Sequence, residues 1–169
     1  MRAHLPPPPA SRTPSMPCDI PTGLLVFGLG EVVRARVFRP DAVLSLLSPG
    51  QEAPRFDGAQ LVLRMEDVED DSPGSPTAAH ATLIAAFLAA PAGRVAIHCH
   101  AGVSRSAAAA LACLHLRGLP PKALAPTLQA LRPQARPNRR LARLLDQALG
   151  LPGILAAAAQ RLHGPQPAT

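Results

Sequence analysis

The chain of 169 residues contains no tryptophan, no tyrosine and only four phenylalanines. A core made without aromatics must be aliphatic, and the 47% of apolar residues is enough for a single domain packed from Leu, Val and Ala. The same scarcity leaves little to stack on bases. The net charge of +6 therefore favours anionic substrates without making nucleic acid an expected partner. Cysteine is scarce too. Three of them, with no regular spacing, suit a reducing compartment, so a cytoplasmic location is expected. No apolar run approaches the length that spans a membrane. The run Leu24–Phe27 is short and soon meets Glu31, so neither a signal peptide nor a membrane partner is expected. Gly28-Leu29-Gly30 follows, but Val33 stands where a dinucleotide fingerprint needs its third glycine, and that reading is rejected.

What is present divides into three parts. Residues 1–21 are proline-rich (Pro6 to Pro9, Pro14, Pro17, Pro21) and read as a disordered tail; residues 22–163 read as one catalytic domain; residues 164–169 read as a loose end. Strands are expected at Leu24–Phe27, Ala42–Leu47, Leu61–Met65 and 94–98, with a short helix at Glu31–Val37. Ser75-Pro76 reads as the cap of a helix that runs to about Ala90, with Leu83, Ile84, Phe87 and Leu88 on one face. Ala107–Arg117 is a helix stopped by Gly118. Beyond Pro121 the chain is helical, with Pro126 kinking or delaying the first helix. Asn138 caps the next, with Leu141, Leu144, Leu145 and Leu149 inward and Gly150 as its stop, and a short helix follows Pro152. Alternating strands and helices give an α/β fold, a mostly parallel central sheet of four to five strands flanked by helices.

The stretch His98-Cys99-His100-Ala101-Gly102-Val103-Ser104-Arg105-Ser106 organises the rest. Cys99 sits at the tip of an apolar strand, and Arg105 and Ser106 lie in the first turn of the next helix. Such a loop points consecutive backbone N–H groups inward and adds the positive end of a helix dipole, which makes an anion cradle. A thiol attacks well only as thiolate, and a helix N-terminus or a nearby cation favours that form. Arg105 can fold back and hold two equatorial oxygens of a phosphoryl group while the sulfur attacks phosphorus. Ser106 offers a hydroxyl to a departing thiolate, and a ring N–H of His98 can fix the cysteine's backbone. A zinc site from His98, Cys99 and His100 is the alternative, weakened by the lack of a second Cys/His cluster. Cys113, in mid-helix, reads as a small hydrophobe, about 15 Å from Cys99 and out of disulfide reach.

This stretch resembles the signature of the cysteine-based protein tyrosine phosphatases, His-Cys-x2-Gly-x2-Arg-Ser/Thr, and the short chain is most similar to the small dual-specificity-type members. The resemblance implies a phosphate loop between a central strand and a helix, built from His100, Ala101, Gly102, Val103, Ser104 and Arg105. It implies a two-step reaction through a phosphocysteine on Cys99, with an upstream aspartate as general acid and then base, and with no metal or other cofactor. It extends, more weakly, over residues 22–150.

Hydrolysis of a phosphate ester requires a proton for the leaving oxygen. Seven of the eleven acidic residues lie between Glu52 and Asp71. The loop Glu66–Gly74 lies one helix and one strand before the cysteine, where the family carries its acid. Asp67, 32 residues before Cys99 and nearest the strand's carboxyl end, is the expected acid, with Asp70 and Asp71 as alternatives. The larger phosphatases of this class carry Trp-Pro-Asp there, and this chain has Met65-Glu66-Asp67.

Members of the family that act on inositol or lipid phosphates usually carry basic residues in the loop interior; this loop has no lysine and no extra arginine, so the resemblance implies a phosphorylated protein or peptide as partner. No phenylalanine is placed as the wall of a deep phosphotyrosine pocket, so phosphoserine and phosphothreonine are also admitted. Arg132, Arg136, Arg139, Arg140 and Arg143 read as a solvated helix face, or else as a rim that attracts acidic phosphopeptides or RNA. A non-catalytic phosphate reader, an RNA 5′-triphosphatase, a sulfur transferase and a redox sensor pairing Cys99 with Cys18 are the other readings of the same loop.

Overall fold

The structure is a computed structural model and describes residues 23–90 and 92–164. The proline-rich segment, Cys18, the boundary expected at residue 22 and residues 165–169 lie outside the described residues. Among those described, four parallel strands form one sheet: β1 (Leu24–Gly28), β2 (Ala42–Leu47), β3 (Ala59–Arg64) and β4 (Val95–Cys99), in the order β1-β4-β2-β3. A 3₁₀ turn at Leu29–Glu31 leads into α1 (Val32–Phe38). The other helices are α2 (Ala78–Ala89), α3 (Arg105–Leu116), α4 (Pro121–Leu131), α5 (Arg139–Ala148) and α6 (Ile154–His163).

Strand alternation divides the core into two layers. Leu24, Val26, Ala42, Leu44, Leu46, Val95, Ile97 and Cys99 face the layer of α2 to α6. Leu25, Phe27, Val43 and Ala96 face α1 through Ala35, with Val32, Phe38 and Phe56 at the margin. Burial on both faces is why β1, β2 and β4 read as apolar runs, interrupted only by the buried Ser45 and His98. β3 is an edge strand and mostly accessible. The hub of the larger layer is α3, buried from Arg105 to Leu114. A helix apolar all round belongs inside a protein, and its run of alanines lets α2, α4, α5 and α6 pack closely around it.

Several boundaries differ from the sequence reading. β3 begins at Ala59, two residues early. The cap of α2 is Thr77, not Ser75: its hydroxyl accepts from the His80 N–H, and the His80 ring accepts from the Thr77 N–H in return. The inward stripe of α2 is Ala81, Ile84, Ala85 and Leu88, which leaves Leu83 half exposed. Pro126 lies inside α4 without ending it, because the N–H it lacks would pair with Lys122 in an exposed first turn. Asn138 caps α5 as expected, accepting from the Leu141 N–H at 2.9 Å; Leu141 and Leu145 are buried, while Leu144 and Leu149 are partly so.

Candidate active site

β4 delivers Cys99 to the carboxyl edge of the sheet, and residues 100–104 turn the chain into α3. Two glycines let this loop nest against β1. Gly102 has φ +69°, and a Cβ there would lie 2.4 Å from the Phe27 carbonyl carbon. A Cβ on Gly28 would lie 2.8 Å from the Ala101 backbone. Gly28, rejected as part of a nucleotide fingerprint, is thus required for close packing against the cysteine loop.

The carbonyls of this loop all turn away from its centre. That of His100 accepts from the Leu29 N–H (2.9 Å), that of Val103 from the Arg136 N–H (2.9 Å), and that of Ser104 from the Asn138 N–H (3.1 Å). Arg132 takes the remaining two, donating from Nε to Gly102 (3.0 Å) and from Nη2 to Ala101 (3.0 Å). Among the described residues, no backbone N–H of residues 101–104 donates to a protein group. A turn with its carbonyls tied back and its amides free is a nest for an anion. Arg132 is buried, and Glu31 holds it through contacts of 2.7 and 2.8 Å while also accepting from the Gly28 N–H. Burial raises the Glu31 carboxyl pKa, but Arg132, the Gly28 N–H and Arg34 outweigh it, and the net shift is downward.

Arg105 is 3% exposed. Its Nη1 donates to the Met65 carbonyl (2.7 Å) and to Ser48 Oγ (3.1 Å), which fixes the plane of the guanidinium. Its Nε is buried and makes no hydrogen bond among the described residues. A buried charged donor without an acceptor is costly unless something else supplies one. Cys99 Sγ lies 3.2 Å from Ser106 Oγ, and both groups are buried.

His98 and Cys99 leave β4 on opposite faces, so one metal ion cannot join them. His98 stacks on Phe27 at 4.7 Å between ring centres. Its Nε2 is 2.7 Å from Ser45 Oγ, and its Nδ1 is 3.4 Å from the Cys99 carbonyl. Gln60 donates to Ser45 Oγ (3.1 Å), so a chain of polar contacts runs Gln60, Ser45, His98, Cys99. Burial lowers the His98 pKa to about 4, and the ring is neutral at pH 7. His100 points outward, with Nδ1 2.8 Å from Gln51 Nε2.

Of the three candidate aspartates, Asp67 is the one that meets the cysteine loop. Its Oδ1 accepts from Ser104 Oγ (2.6 Å) and Asn138 Nδ2 (3.0 Å), and its Oδ2 lies 4.0 Å from Arg105 Nε. Asp70 is turned to its own Ser72 N–H, and Asp71 reaches out to Arg140 at 2.6 Å. The basic stretch near the carboxyl end is mostly occupied. Arg132 clamps the loop, Arg139 grips Glu69, and Arg140 holds Asp71 and the Pro76 carbonyl. These contacts take Arg132, Arg139 and Arg140 out of the solvated face that the sequence suggests, while Arg136 and Arg143 remain exposed on it. They also supply what the missing tryptophan left unexplained, since α5 pins the acidic loop over the cysteine.

Solved structures with this architecture include dual-specificity phosphatases and a human tyrosine phosphatase-like serine/threonine/tyrosine-interacting protein. The Yvh1 phosphatase domain from Chaetomium thermophilum matches with a TM-score of 0.54 at 23% identity, over 76% of this chain and 90% of that one. DUSP15 matches with 0.56 at 19% identity, over 88% and 95%. A point variant of human DUSP28 matches with 0.51 at 27% identity, over 83% and 93%. The fold is that of the small dual-specificity phosphatases. No protein-family model and no curated protein matches the chain.

Within the dual-specificity fold, the sequence reading located Cys99, Arg105, Ser106 and Asp67 at one edge of the sheet, and the structure brings them together there. It missed Arg132 with Glu31, the Ser48 and Gln51 contacts, and the second role of Asn138. Only Asn138 carried a local signal, as a helix cap. Glu31 and Arg132 are too far apart in sequence for any spacing rule to pair them.

Proposed function

We propose that the chain is a metal-independent phosphatase that hydrolyses phosphate monoesters through a phosphocysteine intermediate, acting on protein phosphotyrosine and also on phosphoserine and phosphothreonine. The observation that carries this reading is the nest itself: five carbonyls tied back, free amides, and a buried Arg105 Nε with no hydrogen bond among the described residues, around the Cys99 thiol. That arrangement suits the equatorial oxygens of a phosphoryl group in the transition state, where preorganised donors stabilise charge most.

In the first step Cys99 Sγ, as thiolate, forms a bond to phosphorus and the ester P–O bond breaks. Asp67 gives a proton to the leaving oxygen from Oδ2, the oxygen free of hydrogen bonds. In the second step water attacks phosphorus, its proton passes to Asp67, and the S–P bond breaks. The Ser106 hydroxyl at 3.2 Å then donates to the thiolate as it leaves. His98, Ser45 and Gln60 position Cys99 from below, and Glu31 with Arg132 positions the loop. Arg105 and the loop amides supply the positive charge that a metal supplies in other phosphatases. The fold and the match to the family signature support the reading, as does the lack of basic side chains inside the loop, which disfavours polyphosphorylated lipids.

The test is phosphate release from p-nitrophenyl phosphate and from a phosphotyrosine peptide with chelator present. Wild type turns over both. Cys99→Ser loses turnover and keeps oxyanion binding. Asp67→Asn loses about two to four powers of ten on the peptide, where the leaving group requires the proton, and less on p-nitrophenyl phosphate. Phosphopeptide binding without turnover by folded wild type would replace the enzyme with a phosphate reader.

A further inference from the structure

At the amino ends of β2, β3 and β4, on the far side of the sheet from Cys99, lies a cavity of about 810 Å³ lined by Arg36, Arg39, Arg55 and Arg94, with Asp41, Asp57 and Phe56. Arg94 precedes β4 and Cys99 ends it, so the two are separated by about 16 Å of extended chain. None of these four guanidinium groups makes an ion pair among the described residues. The Arg94 guanidinium lies over the Phe38 ring at 5.9 Å. Of the two carboxylates, Asp41 is already engaged, accepting from the Arg94 N–H at 2.7 Å. Arg39 adds an independent sign. Among the described residues it is the one non-glycine with positive φ, +52°, at the C-cap of α1 where glycine is the usual occupant. Strain of this kind persists where the surroundings hold it, and it clusters at binding sites.

We propose that this cavity is a second anion site, distinct from the cysteine loop, for a small ligand with two or more adjacent phosphate groups. Four arginine forks offer more donors than one phosphate has oxygens to accept them. The four arginines come from the end of α1, from the segment before β3 and from the residue before β4, and together they line one concavity. Its volume is that of a small-molecule site. An acidic peptide would be better matched by a linear track of charge. The assignment does not depend on the catalytic reading.

The experiment is calorimetric titration of the full chain with pyrophosphate, ATP and inorganic phosphate at low salt with chelator, repeated on Arg39→Gly and Arg55→Ala. Pyrophosphate and ATP are expected to bind, with inorganic phosphate weaker. Each substitution should weaken pyrophosphate binding about tenfold, the loss of one charge-assisted contact, and leave p-nitrophenyl phosphate turnover unchanged. Arg39→Gly adds no backbone strain, because glycine, without a Cβ, adopts the left-handed conformation that Arg39 is held in. ATP binding tighter than pyrophosphate assigns a nucleotide; equal affinity assigns a bare polyphosphate. No pyrophosphate binding, or an affinity the same in both variants, overturns the proposal, since the anion would then belong to the cysteine loop. Binding of an acidic peptide alone would also overturn it.

Discussion

The two ends of the sheet use arginine in opposite ways. At the carboxyl end, Arg105, Arg132, Arg139 and Arg140 all have protein partners: Met65 and Ser48, the cysteine loop and Glu31, Glu69, and Asp71. At the amino end, Arg36, Arg39, Arg55 and Arg94 surround a cavity without an ion pair among the described residues. The positive charge beside the cysteine is mostly structural. It shapes a loop and pins its neighbour, and the Arg105 Nε is the one buried guanidinium atom there without a hydrogen bond among the described residues. A net charge read from composition says nothing of this division.

Removing a guanidinium at each end is the sharpest way to break the comparison. Arg132→Ala leaves the Ala101 and Gly102 carbonyls unpaired and Glu31 partly buried without its cation. It should cost about 2–3 kcal/mol of stability, from the charge-assisted hydrogen bonds to two backbone carbonyls, since the partly exposed Glu31 can turn to water. It should also lower kcat, because the nest loses its backing. Arg55→Ala should change stability by less than about 0.5 kcal/mol, as for an exposed site. Urea denaturation of both variants checks this, and equal losses would mean that the arginines of the two ends are not divided as described.

Acid provides a second contrast. His98 lies beneath the cysteine loop, and burial holds it at about 4, below its usual 6.5. The unfolded chain takes up this proton near pH 6.5, and the folded chain resists it until about pH 4. The stabilisation is therefore complete above pH 6.5 and is lost as pH falls from there towards 4, by about 3 kcal/mol. His98→Gln should be less stable than wild type at pH 7.5, and the gap should close as pH falls to 4.5. Parallel pH profiles would count against burial of a neutral ring. Arg55→Ala leaves His98 and its surroundings untouched, so it should keep the wild-type profile.

Much of the carboxyl end was legible in the sequence because its chemistry is local. Cys99, Gly102, Arg105 and Ser106 fall within one strand–loop–helix unit, and the strand before it is apolar on both faces. Asp67 was legible at one remove, from its distance past the end of β3. The clamp was not. Glu31 lies in a turn before α1 and Arg132 just beyond α4, and only the folded packing of α4 brings them within 2.8 Å. Thr77 and Ser75 carry the same capping chemistry, and sequence offers no means to choose between them. Leu83 looked inward because apolar residues crowd α2, yet only every third or fourth position can face α3. The amino-end cavity was illegible because its four arginines are scattered from Arg36 to Arg94 and meet only where parallel strands begin together.

The smallest predicted effect bears most directly on that cavity. Both ends contain a residue in the left-handed region. At the carboxyl end it is Gly102, where any side chain would strike Phe27. At the amino end it is Arg39, whose N–H closes α1 by donating to the Arg36 carbonyl at 3.2 Å. Glycine keeps that hydrogen bond and removes the contact between Cβ and the carbonyl that disfavours this region for other residues. Arg39→Gly should therefore stabilise the protein by about 1 kcal/mol, the strain of a left-handed non-glycine less the extra freedom of glycine in the unfolded chain. Gly102→Ala should do the reverse, and strongly. If Arg39→Gly instead destabilises in urea, the guanidinium is making contacts that hold the fold, and the amino end is structural in the same sense as the carboxyl end. If it stabilises while pyrophosphate binding weakens, the strain is retained together with a side chain whose use lies in binding.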